Sequence, residues 1–234
     1  ATSSSSCSNY ATSGGGGVYQ ASTSGVSVNS GSYVNYNYTD GNGGGICSND
    51  SVIVDGYVNY NGASGNGGGV YGNKSSISLN SGEISVNKAT NGGGGYVFDG
   101  YSFSMSDGTM HKNYASGSGG AVYATDNASV SISGGVIGNA SASSSASSTY
   151  SNYASSNGGA IFANSSADVT ISSSAKILQN RATQGGGIAI EGDASLYVNS
   201  SSVVIAYNYA SSTGGGVALC DNASFSFTYG TIGT

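Results

Sequence analysis

The sequence predicts an all-β fold, a parallel β-helix solenoid, and three observations carry that prediction. Glycine clusters recur ahead of an apolar residue at near-constant intervals, short segments alternate apolar with hydroxyl residues, and each repeat closes on an asparagine. With 41 Gly, 49 Ser and 23 Asn among 234 residues, composition alone suggests a flexible linker. However, 37% of the residues are hydrophobic and they fall in register with the glycines. The chain therefore buries apolar area at regular intervals, which linkers do not do.

The glycine clusters open each unit. They stand at Gly14 to Tyr19 (GGGGVY), Gly43 to Cys47, Gly67 to Tyr71, Gly92 to Phe98, Gly119 to Tyr123, Gly158 to Phe162, Gly185 to Ile190 and Gly214 to Leu219. With Val18, Ile46, Val70, Tyr96, Val122, Ile161, Ile188 and Val217 as inward anchors, the steps are 28, 24, 26, 26, 39, 27 and 29 residues. A period in the twenties with one longer unit, the extra residues lying near 139–153, marks a solenoid whose units pack only on their neighbours. Apolar residues do not recur from unit to unit at i, i+3, i+4 and i+7, which argues against helical repeats.

Each unit reads as three short strands. The first follows the glycines, as in Ile188-Ala189-Ile190. The second alternates strictly, as in Ser102-Phe103-Ser104-Met105-Ser106 and Ser129-Val130-Ser131-Ile132-Ser133, so apolar side chains point in and hydroxyls out. The third ends in Asn, as in Ile84-Ser85-Val86-Asn87 and Ile177-Leu178-Gln179-Asn180. About eight coils at about 4.8 Å per layer give a solenoid about 38 Å long in a single domain, 1–234. Right-handed coiling is the default for parallel crossovers.

The terminal Asn recurs at Asn9, Asn37, Asn61, Asn87, Asn113, Asn152, Asn180 and Asn208, usually followed by x-Ala-Ser or x-Ala-Thr. Stacked at one corner, each amide can donate to the carbonyl oxygen of the next and also satisfy turn backbone groups. The role expected of this ladder is structural.

The pairing of Gly119-Gly120-Ala121-Val122 and Gly158-Gly159-Ala160-Ile161 with apolar-x-x-Asn resembles the repeat of polymorphic outer-membrane proteins, bacterial autotransporter-type surface adhesins with β-helical passengers. The resemblance runs along essentially the whole chain, with Ile, Val or Met where that family has Phe, and GGG mostly in place of GGA. It implies a surface-exposed β-helix and adhesion, and supplies no catalytic residue.

Composition narrows function further. Charged residues are only 7% and the net charge is −6, which leaves no basic patch for nucleic acid, and no run of 18 apolar residues inserts in a membrane. Five basic residues (Lys74, Lys88, Lys112, Lys176, Arg181) and one His111 leave little from which to assemble a β-helical lyase or glycosidase, so neither enzyme activity nor a cofactor is expected. Asp50, Asp99, Asp126, Asp193 and Asp221 lie at or beside one turn, but without the Gly-Gly-x-Gly-x-Asp pattern of calcium β-rolls.

Asn-x-Ser/Thr sequons occur at Asn37, Asn49, Asn73, Asn127, Asn139, Asn164, Asn199 and Asn222. Asn49, Asn73, Asn127, Asn164 and Asn222 share the turn after the first strand, which suggests a row of N-glycans solubilising one edge; turn chemistry alone also favours Asn there. Tyr19, Tyr71 and Tyr123 follow inward anchors and form one outward stripe, and Tyr10, Tyr114, Tyr153 and Tyr209 form another beside the Asn corner. Such stripes serve lateral contacts or sugar rings, or simply stack on themselves.

The chain opens and closes mid-coil. Joining its tail, GTIGT, to its head, ATSSSSCSNYATSGGGGV, gives a segment like the long unit from Gly135 to Ile161. With no polar cap at either end, head-to-tail self-association into an open filament is the expectation, and a longer covalent chain the alternative. A disulfide between Cys7 and Cys220 across such a junction is conceivable, with Cys47 left over. The reading is an extracellular or cell-surface structural protein whose partner is another copy of itself, with glycans attached or bound. An adhesin passenger or stalk is the alternative.

Overall fold

The computed structural model describes residues 7–143 and 151–233. The strands pair in parallel and stack as about eight coils around one continuous apolar column. Three sheets run the length of the solenoid. One has eight strands, from Val18–Gln20 to Val217–Leu219, and follows the glycines. A second has fourteen, and holds the alternating segment together with the segment after it. A turn separates these two segments in most coils, and they run together as a single strand at Ser195–Ala206.

The third sheet also has eight strands, from Asn9–Ala11 to Tyr209–Thr213, and is made by the Asn-x-Ala segments themselves. What the sequence suggests to be a corner is therefore a face. The bend falls one residue earlier, where Tyr36, Tyr60, Val86, Lys112, Gln179 and Tyr207 hold φ between 56° and 61°. A left-handed residue redirects the chain, and the Asn begins the next strand.

Alternation explains the core. Val52, Ile77, Phe103, Val130, Val169 and Leu196 form one inward column, and Val54, Leu79, Met105, Ile132, Ile171 and Val198 another. Val58, Ile84, Met110, Ile137, Ile177 and Ile205 form a third. All of these are buried. The anchor column after the glycines runs Val18, Ile46, Val70, Gly95, Val122, Ile161, Ile188 and Val217.

One anchor is thereby corrected: Gly95, not Tyr96, takes the inward position, and Tyr96 faces out. The reason is volume. A Cβ on Gly95 would lie 2.9 Å from Phe103 Cε2, so the missing side chain makes room for the largest fully buried one. Several other glycines, Gly44, Gly68 and Gly93 among them, face the next coil. Gly67 needs its positive φ of 66°, and a Cβ on Gly68 would meet the carbonyl oxygens of Gly93 and Lys88 at 2.5 Å. No larger residue passes there.

Candidate functional site

The Asn column is a continuous side-chain ladder. Nδ2 of each Asn donates to Oδ1 of the next, at 2.7 Å for Asn9 to Asn37, 2.9 Å for Asn37 to Asn61 and 3.1 Å for Asn61 to Asn87. It continues at 3.1 Å to Asn113, 3.0 Å to Asn152, 2.8 Å to Asn180 and 3.0 Å to Asn208. The same Oδ1 usually accepts a backbone N–H as well, as Asn113 Oδ1 does from Asn87 N at 3.1 Å. The second Nδ2 hydrogen goes to a carbonyl one coil back: Asn87 to Val58, Asn113 to Ile84, Asn152 to Met110, Asn208 to Ile177. Two donors and two acceptor sites are thus used at buried positions. A buried amide is tolerated only under such full pairing.

Asn37 illustrates the conflict between two readings of one residue. Its sequon is intact, but the side chain is 3% exposed and bonded within the ladder, so the folded chain cannot carry a glycan there. Asn127, Asn199 and Asn222 are exposed, and Asn222 Nδ2 donates to Asp193 Oδ1 at 3.1 Å. Asn49, Asn73, Asn139 and Asn164 are half-buried. Asn73 donates to Asn49 Oδ1 at 2.5 Å, and Asn139 to Gln179 Oε1 at 2.8 Å. Asn49, Asn73 and Asn164 open the turn after the first strand, whereas Asn127 and Asn222 sit two residues further on.

Among the described residues Cys47 and Cys220 form no disulfide. Cys7 precedes Asn9 at the ladder corner, whereas Cys220 begins the turn after Val217–Leu219, at a different edge of the coil. In-register stacking of copies would leave these two columns apart, so the Cys7–Cys220 bridge does not fit such a seam; a disulfide needs Cα atoms within about 7 Å. Cys47 lies in the column of Tyr19 and Tyr71, where burial pushes its thiol up to about 11.

Each aromatic stripe stacks over part of its length, with Cys47 between Tyr19 and Tyr71 and Arg181 between Tyr153 and Tyr209. On the glycine-side sheet Tyr71, Tyr96, Tyr123 and Phe162 follow one another at 5.4, 4.9 and 5.0 Å between centroids. Burial raises the pKa of Tyr71, Tyr96 and Tyr123. On the Asn-x-Ala sheet the residue x forms the column Tyr10, Tyr38, Gly62, Lys88, Tyr114, Tyr153, Arg181, Tyr209. Tyr10 stacks on Tyr38 at 6.2 Å and Tyr114 on Tyr153 at 5.5 Å. Lys88 Nζ stands 5.4 Å over the Tyr114 ring, and the Arg181 guanidinium 5.2 Å over Tyr209 and 5.9 Å over Tyr153. Tyr10 donates to Asp40, and that bond is the first cause of its raised pKa.

Among the described residues, His111 meets a carboxylate at Glu83. Ser85 Oγ (2.6 Å), Asn59 Nδ2 (3.0 Å) and His111 Nε2 (3.6 Å) all converge on Glu83 Oε1. The Ser85 hydroxyl donates to the carboxylate rather than to the imidazole. Burial lowers the pKa of His111, with Glu83 opposing. The acidic turn residues are not clustered as ligands: among the described residues no three His, Cys, Asp or Glu side chains gather to hold a metal.

The geometry thus offers an interior ladder that repeats layer by layer and an exposed Tyr–cation column beside it. No family model matches the sequence, and no match is found among curated proteins or solved structures.

Proposed function

We propose that this chain is an extracellular structural protein that associates end to end into a β-helical filament. The observation that carries the reading is the chemical sameness of every layer contact: parallel strand pairing, an apolar column and one Asn rung. A seam between copies would need no contact type that the coil interior lacks. The ladder is directional, running donor to acceptor from Asn9 to Asn208, so Asn208 Nδ2 of one copy suits Asn9 Oδ1 of the next. Such a heterologous contact does not close and propagates. Leu219, Phe227, Tyr229 and Ile232, all more than 40% exposed, offer apolar surface on the last coil.

The test compares the denatured chain with the native particle. Chains of 22.8 kDa within long fibres showing an axial spacing of about 4.8 Å are the expected result. Isolated particles of one chain each, at every concentration tried, overturn the filament.

A second reading is a surface adhesin or stalk that binds glycans, akin to the passengers of polymorphic outer-membrane proteins. The Tyr–cation column favours it. One very large polypeptide in the same comparison supports this reading over assembly from separate subunits.

A further inference from the structure

The Tyr–cation column has one rung missing. Tyr38 and Lys88 are separated by Gly62, which has no side chain to fill its layer, and the depression left there measures about 260 Å³. Two layer steps separate the strands that carry its walls by about 9.6 Å. A single ring placed midway lies within stacking distance of both. The floor is Gly62, Ala63 and Ala89, all buried, and the rim carries the hydroxyls of Ser64, Thr90 and Ser116. Tyr38 Oη lies 2.6 Å from Ser64 Oγ and Thr90 Oγ1 donates to the Ser64 carbonyl at 2.7 Å, so wall and rim are held in place.

We propose that this slot binds one pyranose ring of a uronic-acid polysaccharide. The proposal rests on the glycan-binding reading above, not on end-to-end assembly, and gives that reading a site and a ligand class. A flat ring with an apolar face suits the Tyr38 ring and the Lys88 stem, and its hydroxyls suit the rim. The acid follows from charge. In a chain of net charge −6, three of the five basic side chains, Lys88, Lys112 and Arg181, line depressions along this face. Among the described residues no acidic side chain lines the slot, and the Lys88 ammonium stands over the Tyr114 ring face. A carboxylate on the bound sugar would complete it, and further acidic units could follow the column toward Arg181.

The experiment titrates the full chain with a galacturonate tetramer and with a neutral hexose tetramer, by calorimetry, alongside three variants. Gly62 lies in regular strand backbone, so Gly62→Tyr restores the rung and closes the slot. It and Lys88→Gln each weaken uronate binding about tenfold, while Tyr36→Ala, in the neighbouring Tyr36–Tyr60 stack, leaves it unchanged. Raising salt from 0.05 to about 0.5 M weakens binding to the native chain. Circular dichroism reports folding; should Gly62→Tyr fail to fold, Tyr38→Ala replaces it, with the same loss expected. Undiminished uronate binding by folded Gly62→Tyr and Lys88→Gln overturns the slot and leaves glycan binding elsewhere standing. Equal or tighter binding of the neutral tetramer overturns the acidic ligand. If the native chain binds neither sugar, both the slot and the glycan-binding reading fall.

Discussion

At the scale of single residues, the Asn rungs and the left-handed corner positions set the local energetics. Asn113 accepts from the backbone and side chain of Asn87 and donates to Ile84 O and Asn152 Oδ1. Asn113→Ala strands those groups in the interior, and we expect a loss of about 3 kcal/mol in a denaturant melt. Val86 is the reverse case. A β-branched side chain held at φ 56° is strained, so Val86→Asn should stabilise by about 1 kcal/mol in the same measurement. His111 makes stability depend on pH. Burial lowers its folded pKa, so the unfolded chain takes up the proton first as pH drops below about 6.5. Thermal stability should therefore fall below that pH and level off once the folded imidazole is also protonated. Comparing Tm of the native chain and His111→Gln from pH 7.5 to 5 isolates this part, because the variant lacks it.

At the scale of the strand, the columns balance volume between neighbours. Gly95→Val presses a Cβ against Phe103 and should cost about 1–3 kcal/mol by overpacking. Gly95→Val with Phe103→Val should recover much of that loss, and a double-mutant cycle read by denaturant melts measures the coupling. The same pair shows what the sequence leaves hidden. Apolar alternation at Ser102–Met105 and Ser129–Ile132 is legible because each inward residue has an outward hydroxyl beside it. At Gly92-Gly93-Gly94-Gly95-Tyr96 four identical residues carry no phase, and only the neighbouring coils fix which of them is the anchor. The corner positions are hidden for a similar reason, since Tyr36, Val86 and Lys112 share a backbone angle and no chemistry. The Tyr38–Lys88 slot is legible in part: reading the middle residue of Asn-x-Ala down the repeats exposes Gly62 among Tyr, Lys and Arg. Its meaning as a gap depends on those residues stacking, which only the register shows. Asn37 matches the sequon and the ladder equally well in sequence; burial separates them.

At the scale of the whole molecule, stability is a chain of nearest-neighbour terms. Val18 and Val217 are only partly buried whereas Ile46 to Ile188 in the same column are buried. Amide exchange should therefore be fastest in the coils of Val18 and Val217 and slowest around Val70, Val122 and Ile161; uniform rates would show one all-or-none unit instead. The long coil adds a consequence of its own. Gly138 pairs with Leu178 and Asn152 keeps its place in the ladder, although thirteen residues separate Gly138 from Asn152 where one separates Ser85 from Asn87. The described residues on either side of this edge, Gly138 and Asn152, thus keep their columns. Because closing a longer loop costs only about 0.6 kcal/mol per doubling, this edge is a natural port for grafting foreign peptides: cargo spliced there would be displayed beside the scaffold and leave its lattice of backbone pairing intact.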